Sequence, residues 1–231
     1  MLAYNQIQRY ELIVLLFGPP GCGKGTQAAG IAARFRIPAI STGDLFRAEC
    51  KAGTELGKRA CSILATGGLV GDEIVNGMVA NRTLQSDCAN GFLLDGYPRT
   101  IPQAQFLSSA MKRRGLPEPV VIHLDVADEV LVARLAARRQ CPTCRRIYNL
   151  LSQLPRVPDR CDEDGATLSA RDDDRESVIR QRLRAYEKQT APVLAWYGAA
   201  AISKVDGSLA PAEVAEKICR VLRQKADSVA V

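Results

Sequence analysis

The segment Glu11–Thr26, ELIVLLFGPPGCGKGT, indicates the class of fold. Its first part, Glu11–Phe17, is a short apolar run that ends at Gly-Pro-Pro-Gly, which is typical of a buried strand. After the glycines, Lys24–Arg36 carries apolar residues at helical spacing. A strand, a glycine-rich turn and a helix in this order predict a phosphate-binding loop, because backbone N–H groups and the helix N-terminus both attract an anion. A purely structural glycine turn is the alternative.

The loop departs from the general phosphate-binding pattern at one position. Lys24 is placed to reach the β- and γ-phosphates, but Gly25 follows it where a Ser or Thr usually ligates magnesium, and the hydroxyl comes at Thr26. We therefore expect Mg²⁺ to be held largely through phosphate oxygens and water. Asp95, at the end of the apolar run GFLLD, is the carboxylate expected to orient those waters, with a capping or turn role as the alternative.

Strands and helices alternate along most of the chain. Further buried strands are predicted at Gly91–Leu94, Val120–Leu124 and Ala201–Val205. Helices are predicted at Asp72–Leu84, Pro102–Arg114, Asp128–Arg139 and Asp174–Tyr197, the last kinked or broken at Pro192. This alternation predicts an α/β fold, a parallel sheet with helices on both faces.

Two stretches interrupt the alternation and are interpreted as insertions. Ser41–Val70 is expected to be helical in parts, without a convincing strand, and Cys141–Ala170 is rich in Pro, Asp, Arg and Cys. We call residues 41–70 the first insertion and residues 137–174 the second insertion. The core then consists of residues 1–40, 71–136 and 175–231, and residues 1–10 precede its first strand without a predicted role.

The composition of the chain limits which kinds of binding partner and which cellular compartment we expect. The chain has 231 residues, is 47% hydrophobic and 24% charged, and carries a net charge of +6, which permits an anionic partner. No apolar run approaches the roughly 18 residues of a membrane span, and the N-terminus lacks a signal peptide's apolar core, so we expect a cytoplasmic protein. We expect its eight cysteines to be thiols or metal ligands rather than disulfides.

The arginines stand singly near turns and element ends, as do Arg47, Arg99, Arg138 and Arg171. This placement suits the binding of small phosphates better than the binding of a nucleic-acid backbone.

The second insertion carries a metal-site pattern. Cys141-x-x-Cys144 is followed after sixteen residues by Cys161-x-x-Asp164, which fits two turns closing one tetrahedral zinc site. Four protein ligands leave no open position, so the zinc would be structural. A redox pair or chance spacing is the alternative, and the adjacent carboxylates Asp162 and Glu163 are alternatives to Asp164 as the fourth ligand.

Several longer motifs occur in order along the chain: GPPGCGKGTQA, ISTGDLFR, GGLVGDE, GFLLDGYPRTIPQA, LAARR, ARDDDRESVIRQRL and VDGS. Over residues 11–225 the chain resembles the adenylate kinases of the nucleoside monophosphate kinase family. The resemblance implies transfer of the γ-phosphoryl of Mg²⁺-bound ATP to AMP, giving two ADP, in a monomer that serves nucleotide synthesis. It also implies that the two insertions are mobile, the first binding AMP and the second forming a lid whose zinc ligands are three cysteines and Asp164.

The resemblance assigns roles to matching positions. The implied ATP-binding residues are Gly21, Cys22, Gly23, Lys24, Gly25, Thr26, Arg134, Arg138, Ile147, Tyr148 and the backbone near Leu209. The implied AMP-binding residues are Thr42, Arg47, Leu69, Val70, Gly96, Tyr97, Pro98, Arg99, Gln103, Arg171 and Arg182. The expected catalytic groups are Lys24, Asp95, Arg99, Arg138, Arg171 and Arg182. No general base is required, because the phosphate of AMP is already an anion.

Two other functions are weighed against this one. A related kinase that accepts UMP, CMP or GMP is disfavoured by the long zinc-type insertion, Thr42 and Gln103. A non-catalytic zinc protein that binds nucleic acid would need a basic surface with aromatic residues. Aromatics make up only 5% of this chain, and the acidic residues around Cys161 would repel a phosphate backbone. We therefore expect no nucleic-acid and no membrane partner.

Overall fold

The computed structural model describes residues 12–229, and its centre is a five-stranded parallel sheet. The strands are β1 (Leu12–Phe17), β2 (Ala39–Ser41), β3 (Gly91–Asp95), β4 (Val120–Asp125), β5 (Arg138–Gln140), β6 (Ile147–Asn149) and β7 (Ile202–Asp206). The sheet order is β2-β3-β1-β4-β7, while β5 and β6 form a separate antiparallel pair. The predicted parallel α/β fold is confirmed, and β1 lies in the middle of the sheet.

Nine α-helices occur between residues 12 and 229. They are α1 (Lys24–Phe35), α2 (Thr42–Ala52), α3 (Glu55–Ala65), α4 (Asp72–Thr83), α5 (Ile101–Arg113), α6 (Asp128–Ala136), α7 (Glu176–Ala185), α8 (Ala191–Tyr197) and α9 (Pro211–Val229). Within the described residues, none of them is long and apolar enough to cross a membrane.

The side chains of β1 contribute to a hydrophobic core on each face of the sheet. Ile13, Leu15 and Phe17 pack into a cluster with residues of α2, α4, α5 and α8, while Val14 and Leu16 pack into a second cluster with residues of α1, α6 and α9. Successive side chains of a strand point to opposite faces, so a strand that is buried on both faces must be apolar throughout. This explains why an unbroken apolar run forms the central strand.

Local patterns missed one edge strand and misplaced the ends of two helices. The short edge strand β2 was not predicted, and the helix expected to reach Arg139 ends at Ala136, because Arg138 and Arg139 pair with β6. The helix expected over Asp174–Tyr197 begins at Glu176 and is divided by a π-helical turn, Tyr186–Thr190. Pro192 lies directly after this turn, at the start of α8, where its missing N–H is tolerated.

The expectation that the cysteines would not form disulfides is wrong for one pair. A disulfide joins Cys50 of α2 to Cys61 of α3. The two helices pack closely because Gly57 has no side chain, and a Cβ there would collide with the Glu49 carbonyl. The packing of two helices therefore brings together cysteines whose sequence positions carried no such signal.

Candidate functional site

The phosphate-loop residues lie in a tight turn between β1 and α1. Gly21 and Gly23 have positive φ angles of 86° and 101°, which glycine adopts without strain. A Cβ on Gly21 would also come within 2.9 Å of the Leu135 side chain, so α6 packs directly against the loop. No side chain caps the N-terminus of α1. The first N–H groups of this helix are therefore free of side-chain acceptors and suit an anion.

Lys24, the first residue of α1, reaches back over the loop. Its Nζ donates hydrogen bonds to the carbonyls of Gly18 and Pro19, at 2.6 and 3.0 Å, and lies 3.6 Å from Cys22 Sγ. The ammonium group therefore lies at the mouth of the turn. A bound polyphosphate would compete with the two carbonyls for this charge.

Asp95 is the last residue of β3 and Arg99 follows it, at the carboxyl edge of the sheet beside the loop. Burial raises the pKa of Asp95, against the opposing effect of Lys24 and Arg99. A Cβ on Gly25 would lie 3.7 Å from Asp95 Oδ2, so the carboxylate is close to the start of α1. Arg99 Nε donates to the Gly96 carbonyl at 2.7 Å, and Thr42 Oγ1 donates to the same oxygen at 2.9 Å.

Five arginines from distant parts of the chain meet across from the loop. We call them the arginine cluster: Arg47, Arg99, Arg138, Arg171 and Arg182. Burial, and then the charges of Arg138 and Arg47, lower the pKa of Arg171 to about 10, and burial also lowers the pKa of Arg99 and Arg182. At neutral pH they remain charged, so the cluster has an excess of positive charge that polyphosphate would neutralise.

Two aspartates that the sequence did not single out orient this cluster. Arg138 donates two hydrogen bonds to Asp174, at 2.7 and 2.5 Å. Arg182 forms ion pairs with Asp173 at 2.8 Å and with Asp174 at 3.2 Å. Burial raises the pKa of Asp173, but the neighbouring arginines outweigh it and the net shift is downward. The motif ARDDDRES was visible in the sequence, yet nothing local showed which of its acids would face the arginines.

A cleft collects most of the predicted nucleotide-binding residues. It is lined by Gly21, Cys22, Gly23, Lys24, Gly25, Thr26, Arg47, Leu69, Asp95, Gly96, Pro98, Arg99, Arg134, Arg138, Ile147, Arg171, Arg182 and Leu209. Arg134 donates to the carbonyls of Gly207 and Ser208, at 2.7 and 3.1 Å, and so holds the turn that precedes Leu209. The cleft runs from the phosphate loop through the arginine cluster to α2.

A smaller, mostly apolar pocket adjoins the cleft on the side of the first insertion. Its lining includes Thr42, Phe46, Leu64, Leu69, Val70, Val75, Arg99 and Gln103. Thr42 and Gln103 are the polar residues of this lining that do not also line the phosphate-facing cleft, and only 2% of Gln103 is exposed. Apolar walls with a few fixed polar groups are typical of a small-molecule site.

Two predicted residues line neither cavity with their side chains. Tyr97 is buried, and its hydroxyl donates to Asn76 Oδ1 at 2.5 Å. Tyr148 is buried in the second insertion, where its hydroxyl lies 3.5 Å from Cys161 Sγ. The Tyr148 side chain thus supports the insertion itself, and its neighbour Ile147 is the one that faces the cleft.

Comparison with known proteins agrees with this geometry. The family model described as adenylate kinase matches residues 16–202. The chain belongs to the adenylate kinase family. Over 212 residues it is 48% identical to an adenylate kinase of Methanococcoides burtonii, which covers 91% of this chain and 98% of the relative. It is also 47% identical over 210 residues to one of Pelobacter propionicus, covering 90% and 96%, and 44% identical over 210 residues to one of Agathobacter rectalis, covering 90% and 98%. Adenylate kinases are ATP:AMP phosphotransferases and use Mg²⁺ with ATP.

The four predicted metal ligands of this adenylate kinase family member lie together in the second insertion. The Sγ atoms of Cys141, Cys144 and Cys161 and a carboxylate oxygen of Asp164 are all within 4.8 Å of one another. Ligand atoms about 2.3 Å from a tetrahedral zinc lie about 3.8 Å apart, and three thiolates with one carboxylate are an acceptable zinc shell. The residues therefore fit the metal.

The two ligand-bearing turns have the same backbone geometry. Cys141 N–H donates to the Arg146 carbonyl at 2.9 Å, and Arg145 N–H donates back to the Cys141 carbonyl at 3.1 Å. In the second turn Cys161 and Ala166, with Gly165, repeat both bonds at 2.9 Å. Such paired turns point their side chains at one centre, which is what a shared metal requires.

The hydrogen-bond and ion-pair partners of the three neighbouring acids, Asp162, Glu163 and Asp164, indicate which of them suits the role of fourth metal ligand. Asp162 accepts from Arg156 N–H at 2.8 Å, and Glu163 pairs with Arg146. Asp164 instead lies 3.3 Å from Cys141 Sγ. Ala166 N–H donates to Asp164 and, as the largest cause, lowers the pKa of its carboxyl to about 2. Asp164 is therefore the acid whose position and charge suit a cation.

Proposed function

We propose that this chain is an adenylate kinase that reversibly transfers the γ-phosphoryl group of Mg²⁺-bound ATP to AMP, yielding two ADP. The observation that carries the proposal is the arginine cluster, which lies between the phosphate loop on one side and the small apolar pocket on the other. Two nucleotides bound at these places would direct their phosphates at the same group of cations.

On the donor side, we assign the phosphates to residues 21–26 and to Lys24. Mg²⁺ bound with ATP supplies further positive charge to the phosphate oxygens. Asp95, close to the start of α1, is suited to orient water around that ion. Arg134 acts indirectly, because both of its observed hydrogen bonds hold the turn before Leu209, where we place the adenine of ATP.

On the acceptor side, we assign the phosphate of AMP to Arg47 and Arg99 and its adenine to the small pocket. Arg138, Arg171 and Arg182 then face the transferring phosphoryl group. Their planar guanidinium groups grip two phosphate oxygens each and stay charged throughout the reaction. Phosphoryl transfer gives the protein little covalent work, so holding both nucleotides in line and neutralising spreading charge supplies most of the catalysis.

We assign the second insertion to a lid that is held in shape by a structural zinc. Its apolar core is small, so an ion that fixes the two ligand turns would let it move as one body over ATP. Closing the lid excludes water, which would otherwise compete with AMP for the phosphoryl group. Both nucleotide sites are assembled within the chain, which supports action as a monomer.

The test is steady-state ADP formation from Mg²⁺-ATP with AMP, CMP, UMP and GMP as separate acceptors. We expect a strong preference for AMP. Equal or better turnover with another nucleotide would keep the phosphate site but overturn the assignment of the small pocket to adenine. Absence of transfer to any acceptor, in folded and zinc-loaded protein, would overturn the proposal itself.

A further inference from the structure

The side-chain amide of Gln103 is held by two hydrogen bonds of opposite polarity. Its Oε1 accepts from the backbone N–H of Arg99 at 2.7 Å, and its Nε2 donates to Asp72 Oδ1 at 2.7 Å. The side chain is 2% exposed and lines the small pocket. It is therefore fixed in place at the wall where the acceptor base is proposed to bind.

These partners determine which way the amide points. A backbone N–H can only donate, and an ionised carboxylate can only accept. Rotating the amide by half a turn would set N–H against N–H at Arg99 and oxygen against oxygen at Asp72. The flipped amide would lose both hydrogen bonds, and Gln103 is only 2% exposed, so its side chain has little access to water that could replace them. The chemistry of the two neighbours thus excludes the flip.

Asp72 is itself held in position. It lies in the first turn of α4, and its Oδ2 accepts from Thr100 Oγ1 at 2.9 Å. Thr100 is the N-cap of α5, and its hydroxyl also accepts from the backbone N–H of Gln103 at 3.3 Å. The carboxylate therefore connects the start of α4 with the start of α5, and it has little freedom to follow Gln103 if that side chain turns.

The fixed amide keeps one N–H and one oxygen lone pair for a ligand. Adenine presents an acceptor at N1 and a donor at N6 on the complementary edge, whereas hypoxanthine presents a donor at N1 and an acceptor at O6. An amide that turned freely would suit either base, since each needs one donor and one acceptor. An amide held in one orientation suits only one of them.

We propose that Asp72 determines the specificity for adenine, by locking the Gln103 amide in the orientation that pairs with AMP and not with IMP. Asp72 is a positioning residue, because it acts through Gln103. The inference rests on the proposed function, in which the small pocket receives the acceptor base. It adds to that function a reason why a single glutamine distinguishes two bases of nearly the same shape.

The test compares AMP and IMP as acceptors for the Asp72→Asn variant. An asparagine side chain can accept a hydrogen bond from Gln103 Nε2 or donate one to Gln103 Oε1. The substitution therefore keeps the size of the side chain, but only the Arg99 N–H still selects one orientation of the amide. We expect the ratio of kcat/KM for AMP to kcat/KM for IMP to fall by about 10-fold. Glu73→Gln is the matched control, because it removes one exposed charge from the same first turn, and its ratio should stay within about 2-fold of the parent.

The ratio is measured in one preparation for both nucleotides, so loss of folded protein cancels out. Equal losses for AMP and IMP would leave the ratio unchanged, which would overturn the inference and make Asp72 only a structural residue. A ratio that is unchanged because neither nucleotide is affected would overturn it as well. A parent enzyme that uses neither AMP nor IMP would instead refute the proposed function, so the two failures are distinguishable.

Discussion

The two insertions are ordered by different means. The first insertion packs onto the core of the domain, with Phe46, Ala60 and Val70 in the same hydrophobic cluster as the central strand. The second insertion has its own small cluster, which consists of Cys141, Tyr148, Cys161 and Leu168 with Ala166 against it. Two of the four buried members of that cluster are also predicted metal ligands.

This difference shows how much apolar burial a short segment needs. A stretch of about thirty residues cannot bury enough surface to offset its loss of conformational entropy unless it shares a larger core or gains another link. The first insertion shares the core and carries a disulfide. The second insertion shares little of it, so we expect its order to depend on the zinc.

Removing the metal should therefore have the largest effect, and only in the second insertion. Structural zinc contributes on the order of 10 kcal/mol at neutral pH in small zinc domains. After replacement of Cys141, Cys144 and Cys161 by serine, we expect fast hydrogen exchange across residues 138–171, unchanged protection across residues 42–65, and a lower Tm. Cys88→Ser, a free buried cysteine outside the insertion, is the control. An unchanged Tm and unchanged protection in the metal-free protein would contradict the role of zinc.

The next effect should fall on rate, at the cluster where the two insertions meet. Arg182→Ala removes a cation that is paired with Asp173 and Asp174, and we expect kcat to fall by about 10³-fold or more. Arg180→Ala is the matched control, since Arg180 lies on the same helix, is exposed and pairs only with Glu176 among the observed contacts. Thermal melting should show that both variants are folded. Near-normal turnover of Arg182→Ala would remove this residue from the mechanism.

The third-largest effect should be on stability, where truncating an apolar side chain should cost more unfolding free energy in the first insertion than in the second. Phe46→Ala creates a cavity in the large core and should cost about 3–4 kcal/mol of unfolding free energy. Leu168→Ala should cost less, about 2 kcal/mol with zinc bound, because coordinate bonds hold the surrounding turns. Urea denaturation with and without a chelator measures both. A cost for Leu168→Ala equal to that of Phe46→Ala in the zinc-loaded protein would show that the second insertion depends on its apolar core.

The smallest effect is expected where the insertions touch. Arg145 has a positive φ of 64°, while Gly165 occupies the same place in the paired turn with a φ of 68°. Arg145 Nη1 also lies 3.8 Å from Asp44 Oδ1 in the first insertion. Arg145→Gly should stabilise the turn by about 1 kcal/mol, because glycine adopts this backbone without strain.

The same variant removes an ion pair between the two insertions, so it should raise the KM for ATP by no more than about 3-fold. This rise should shrink at high salt, since screening weakens exposed ion pairs. Thermal melting and KM measurements at two salt concentrations test both statements. A lower Tm for Arg145→Gly would mean that the ion pair outweighs the backbone strain.

Much of the fold could be predicted from the sequence because its signals are local. The apolar run Leu12–Phe17, the glycines that follow it and the helical spacing after Lys24 lie within about 25 residues of one another. The zinc pattern is also local, since two turns of fixed length set the positions of four ligands. The edge strand β2 and the hairpin of β5 and β6 were missed because three-residue strands depend on their pairing partners and not on their own propensity.

By itself the sequence determined the phosphate loop, the parallel sheet and the two ligand turns. Only the tertiary structure decided which groups hold the site residues in place, Asp173 and Asp174 for the arginines and Asp72 for Gln103, and that Cys50 pairs with Cys61. The physical reason is that hydrogen bonds, ion pairs and disulfides need atoms within a few ångströms, and the packing of the helices sets those distances.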